Sequence, residues 1–223
     1  MIKIYNDIVK LDTETTSVII KKMDGKAFLL HCGKKLKDYE NYDVFSNGWW
    51  ESGISNDDKT LHTTVLGSVG EYTNREPFCC FYDERGVFSN RFEYVGAEIV
   101  SEFSSPFPTS RKKGETCKLT FVDEISGAKI YQYYTVFSDS SIIATHSEFD
   151  NCTDKTLTVT RLSSLQLDFV GDKAKVTTYD GTWVEERIKH ETEVVSGNFE
   201  INSKTGISSA IHNPFFTAKI NDR

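Results

Sequence analysis

Residues 156–169 read "TLTVTRLSSLQLDF". Apolar residues alternate with polar ones from Leu157 to Thr160 and again from Leu165 to Phe169. Successive side chains on an extended chain point to opposite faces, so this pattern describes a half-buried β-strand. Working outward, the same texture recurs in "SVIIKK", "AFLLHCG", "PFCCFYDE", "RFEYVGAEIV", "CKLTFVDE", "AKIYQYYTVF" and "SIIATHSEFD". Each is short and rich in β-branched or aromatic residues. Turn signals separate them at Asp24-Gly25, Arg85-Gly86, Ser126-Gly127, Asp180-Gly181 and Ser196-Gly197. No stretch carries a long helical period, so repeated strands without intervening helices predict an antiparallel β-sandwich of many strands in two large sheets.

The 223 residues are enough to bury a sizeable core without metals or disulfides. A hydrophobic content of 38% and an aromatic content of 13% mark a folded chain rather than a disordered one. No apolar run is long enough for a transmembrane helix, and "MIKIYNDIVKLD" lacks a secretory h-region, so no membrane partner and a cytoplasmic location are expected. The net charge of −7 argues against a nucleic-acid partner, and the basic clusters "GKKLKD" and "SRKKGE" read as solvated turns. Five cysteines without a C-x-x-C pair read as free, mostly buried thiols.

One region breaks the rhythm. Residues 39–72 contain Trp49-Trp50, two glycine turns and an acidic cluster, and read as a long functional or interface loop. The paired tryptophans suit a sugar platform, a subunit contact or a cap on one end of the core.

Four arrangements invite a catalytic reading. Glu185 and Glu186 stand beside Trp183 in "YDGTWVEERIKH", but neighbours on a strand face opposite ways and cannot flank one glycosidic bond. "TGISSAIH" lacks the final glycine and the following helix of a serine nucleophile elbow. The five histidines show no metal-ligand spacing, and no cofactor fingerprint is present, so neither metal nor cofactor is expected. His146 and Glu148 share one strand face and form a weak acid/base candidate.

Four longer segments occur in a telling order. They are "VKLDTETTSVIIKKMDGKAFLLHCGKKL", "YQYYTVFSDSSIIATHSEFDNCTDKTLTVTRLSSLQLDF", "DGTWVEER" and "SGNFEINSKTGISSAIHNPFF". The set resembles the N-terminal domain of glycoside hydrolase family 36 α-galactosidases. That resemblance implies an all-β fold, an antiparallel β-supersandwich of the galactose mutarotase type. It places residues 1–223 in a single N-terminal domain, with closing strands cut short at its C-terminal end. In such enzymes a (β/α)8 barrel follows and carries the catalytic aspartates, so no catalytic residue is expected in this chain. The resemblance further implies a retaining parent acting on terminal α-galactosides, in which this domain supports the barrel, builds a homo-oligomer and shapes the sugar pocket. Asp43 matches the family's aspartate, and Lys59 stands where an arginine is common. At "GSVGEYTNREP", Glu71 replaces an aspartate and two extra residues separate it from Arg75. Asp43, Trp49, Trp50, Lys59, Glu71, Arg75 and Trp183 are therefore the sugar-binding or subunit-contact candidates. Two rivals stay open: a stand-alone carbohydrate-binding module using Trp49, Trp50 and Trp183, and an aldose mutarotase-like isomerase using His146 and Glu148.

Overall fold

The computed structural model describes residues 1–45, 64–69, 76–100, 113–169, 173–195, 197–203 and 211–221. Among these residues thirteen strands run in chain order: β1 Ile2–Tyr5, β2 Ile8–Asp12, β3 Thr16–Met23, β4 Lys26–Lys34, β5 Cys79–Asp83, β6 Phe92–Val100, β7 Glu115–Asp123, β8 Lys129–Val136, β9 Ile143–Asp150, β10 Leu157–Leu162, β11 Lys173–Thr182, β12 Glu185–Val194 and β13 Thr217–Asn221. A 3-10 turn covers Asp43–Phe45. The chain divides into two compact units, Met1–Asp168 and Phe169–Arg223.

The first unit contains the meanders β1-β2-β3-β4 and β6-β7-β8-β9 and the pair β10-β5. Every pairing is antiparallel. Where strand spacing suggested two large sheets, the described strands of the whole chain fall into four, the fourth being β12-β11-β13. The pairing of β10 with β5 joins residues far apart in sequence, and local periodicity carries no information about such a partner.

Alternation explains the core. Val9 and Leu11 of β2, Val18 and Ile20 of β3, Leu119 and Phe121 of β7, and Ile130 and Tyr134 of β8 enter one buried cluster. Burial at about 25 cal/mol per Å2 of apolar surface makes this cluster the main stabilising term of the unit. Cys79 and Cys117 lie in it, and burial pushes both thiols up to about 12. All five cysteines are free, and Cys152 is exposed.

Turn chemistry sets the registers. Asp24 and Gly25 both have positive φ (48° and 73°), the backbone of a type I′ hairpin joining β3 to β4. Asn6 and Asp7 do the same between β1 and β2, at 46° and 62°, without a glycine to signal it. At the β7–β8 turn, the buried Asp123 carboxylate accepts bonds from the Arg91 N–H (2.6 Å), the Ser126 N–H (2.8 Å) and the Ser126 hydroxyl (2.5 Å). The Asp180-Gly181 turn expected from sequence is not one: both residues lie inside β11, and Trp183-Val184 make the reversal. Gly181 serves close packing instead, because a Cβ there would stand 2.3 Å from the Glu185 carbonyl oxygen. The register shifts at this point, between Asp180 and Thr182.

Candidate functional site

The first candidate region lies on the outer face of the β1–β4 sheet. Alternation that sends Val9 and Leu11 inward sends Ile8, Lys10 and Asp12 outward, yet all five are buried. The segment after β4 covers them: Ile8, Ile19 and Tyr42 form a second apolar cluster with Leu36 and Phe45 at its margin. Lys10 is 1% exposed. Its ammonium donates to the Leu36 carbonyl (2.8 Å) and to Asp38 (2.7 Å), and lies 3.0 Å from Asp12. Burial opposes the charge, but the bonds to Asp38 and Asp12 carry the Lys10 pKa above its ordinary value. Lys10 and Lys3 together hold the Asp38 carboxyl at about 2. Ser17 donates to Asp12 (2.5 Å) and accepts from the Leu36 N–H (2.9 Å). These bonds fasten residues 36–38 against the sheet, and Asp43 adds to them by pairing with Lys21. Asp43 is thus engaged by a lysine of β3. Trp49, Trp50, Lys59, Glu71 and Arg75, as well as most of the "TGISSAIH" stretch, lie outside the described residues.

The second region is the β11–β12 hairpin. Trp183 is 88% exposed at its tip. Val184 beside it has a φ of 75°, a left-handed backbone that a β-branched residue adopts only under strain. Glu185 and Glu186 follow, both exposed, and Arg187 with a φ of 61° breaks the regular alternation. Lys189 pairs with Glu191 (2.7 Å), not with either of these glutamates. On the same hairpin the Asp180 carboxylate faces two half-exposed imidazoles, His212 at 2.9 Å and His190 at 3.9 Å. Sequence reading missed this group because Asp180 and His212 are 32 residues apart and joined only by an isolated bridge.

The third region is the solvent-side face of β8 and β9. His146 and Glu148 do share it, with Nε2 to Oε1 at 3.7 Å. The His146 ring stacks flat on Tyr133, with centroids 4.5 Å apart and planes within 3°. The Tyr133 hydroxyl donates to Glu148 at 3.0 Å. Burial depresses the His146 pKa, with Glu148 partly opposing it, so the imidazole is favoured as a neutral proton acceptor. Lys118 extends the row, lying over the Tyr131 ring at 4.6 Å and bonding Glu98 at 2.9 Å. The Tyr133 ring is buried and covered by His146, and a proton-transfer pair would need substrate bound against this face. Among the described residues no group of three or more His, Cys, Asp or Glu side chains is arranged to hold a metal ion, and no helix is long and apolar enough to cross a membrane.

The sequence pattern of the glycosyl hydrolase family 36 N-terminal domain matches residues 25–222 and crosses both compact units. The chain belongs to that family. The family 36 domain is 24% identical over 224 residues to alpha-galactosidase 1 of Pediococcus pentosaceus and to alpha-galactosidase Mel36A of Lactobacillus acidophilus. Each alignment covers 94% of this chain but 31% of the relative, so the chain spans about a third of the length of these curated proteins. Among solved structures, the alpha-galactosidase of Lactobacillus brevis superposes on 96% of the chain with a TM-score of 0.85 at 22% identity, again over 31% of its own length. AgaB of Geobacillus stearothermophilus does so over 97% of the chain with a TM-score of 0.81 at 20% identity. The family 36 domain therefore has the supersandwich fold that its segments resembled.

Proposed function

We propose that this chain is the non-catalytic N-terminal domain of an α-galactosidase-like glycoside hydrolase. The observation that carries the reading is the family match across residues 25–222 on a chain that spans 31% of its relatives' length. Its work is mechanical: it supports a catalytic (β/α)8 barrel, contributes to oligomer assembly and shapes the sugar pocket. The parent hydrolyses terminal α-galactosides with retention. The fastening of residues 36–45 to the sheet supports the pocket-shaping role, since Lys10 holds Asp38 and Lys21 holds Asp43 in place. Asp43, Trp49, Trp50, Lys59, Glu71 and Arg75 are the side chains this reading assigns to the pocket or to a subunit contact. The test is direct: the purified chain should release no galactose or nitrophenol from an aryl α-galactoside. Turnover by the chain alone would place catalysis here and end the reading.

A second reading is favoured by the exposed Trp183 on its strained turn. An aromatic ring held out by an uncomfortable backbone suits stacking on a sugar face, as in a carbohydrate-binding module. It predicts saturable heat on titration with galactosides or oligosaccharides, lost in Trp183→Ala. Titration without heat removes this reading and leaves the first untouched.

A further inference from the structure

The longest edge strand of the second unit carries a charge and hydrogen-bond pattern complementary to itself. Among the described residues β12 is the outer strand of the order β12-β11-β13, and its residues from Glu185 to Glu193 are exposed. The direction of its free backbone groups can be read from β11. The Asn213 N–H donates to the Tyr179 carbonyl and the Gly181 N–H donates to the Ile211 carbonyl. Tyr179 and Gly181 thus turn their backbone groups toward the β13 side, and the residues between them turn toward β12. Thr178 opposes His190, so His190 spends its backbone on β11. Lys189 and Glu191 then present their N–H and C=O groups to the open edge.

We infer that this edge pairs with the same edge of a second copy, antiparallel about a two-fold axis at His190. This names the surface for the assembly role proposed above and rests on that role. In this register Lys189 of each copy faces Glu191 of the other, and these are the residues whose backbone groups are free. Their amides and carbonyls close a hydrogen-bonded pair on either side of the axis. One step out, Ile188 faces Thr192 on the opposite face. Lys189 and Glu191 thus each meet the opposite charge. Shifting the axis to Lys189 or to Glu191 sets that residue against itself, and shifting it to Thr192 sets Glu191 against Glu193. Like charges directly opposite destabilise a cross-strand pair, so the charges select the register centred on His190. Bulges and charges commonly protect an edge from pairing, and here Arg187 supplies a bulge. The straight run from Ile188 to Val194 lies beyond it and stays available.

The experiment is a charge exchange followed by sedimentation velocity on the 223-residue chain, with circular dichroism as a folding check. Lys189→Glu and Glu191→Lys should each weaken self-association by at least about tenfold, since two symmetric pairs become repulsive. An equimolar mixture of the two variants should associate again, because one copy then offers two glutamates and the other two lysines. The double variant Lys189→Glu/Glu191→Lys should also associate, by exchanged charges. Hydrogen exchange should slow at the Lys189 and Glu191 amides on association. Self-association that ignores both single variants overturns this edge while leaving the assembly role intact. A chain that stays monomeric at its highest soluble concentration overturns both.

Discussion

Lysine 10 is the sharpest test of how the first unit holds its covering segment. It is 1% exposed, and its ammonium has three oxygen partners within 3.0 Å: Leu36 O, Asp38 and Asp12. Lys10→Ala removes the cation and leaves those oxygens behind. Asp38 is half exposed and can be solvated again. Asp12 cannot, since its side chain is 11% exposed, and only the Ser17 hydroxyl remains on it. Removing one partner of a buried pair costs about 3–5 kcal/mol, and the surviving Ser17 bond puts this site at the lower end, about 3 kcal/mol. At about 2–4 °C per kcal/mol for a unit of this size, the melting point should fall by about 6–12 °C. Lys10→Ala/Asp12→Asn removes both charges and should cost less than the sum of the singles by at least about 1 kcal/mol. Urea denaturation followed by circular dichroism measures all four corners of this cycle. A Lys10→Ala cost below about 1 kcal/mol, or strict additivity, would refute the argument that the pair is buried and mutually dependent.

Three further outcomes follow from local geometry. Gln132 is fully buried on the core face of β8, and neither amide atom has a hydrogen-bond partner among the described residues, so Gln132→Leu should stabilise by about 1–2 kcal/mol; a lower urea midpoint would count against it. Gly181→Ala should loosen the β11–β12 hairpin, because the new methyl would meet the Glu185 and Glu186 backbone; hydrogen exchange across β12 should speed up, and unchanged exchange would mean the bulge can open freely. Asp38 and Glu191 both sit at about 2, held by Lys10 and Lys3 and by Lys175 and Lys189 respectively. Both values lie below the unfolded range near 4, so their stabilisation is complete above about pH 4 and is lost as pH falls toward about 2. Asp38→Asn and Glu191→Gln should flatten that acid limb, and an unchanged pH profile would show the pairs contribute nothing.

The sequence by itself determined the fold class. Alternation and β-rich runs marked β3 to β10; where one face is buried, as in β7, a period of two is required and that requirement is local, whereas β10 ends at Leu162 and is exposed at every position but Leu157, not half-buried as its alternation suggested. It also disposed of the paired glutamates at 185 and 186 by the same rule. The β1–β2 hairpin escaped because Asn6-Asp7 makes its turn without glycine. Two sides of one sheet were harder still. Ile8, Lys10 and Asp12 lie on the outer face of β2, and only the fold lays residues 36–45 over them and turns Lys10 into a buried cation. Asp180-Gly181 looked like a turn by composition, and only the register showed a glycine needed for close backbone approach. His190 and His212 meet Asp180, and Tyr133 meets His146, through pairings that no linear spacing encodes. Local periods are written in neighbouring residues. Burial of a second face, and the meeting of charges from distant strands, depend on how the whole chain closes on itself.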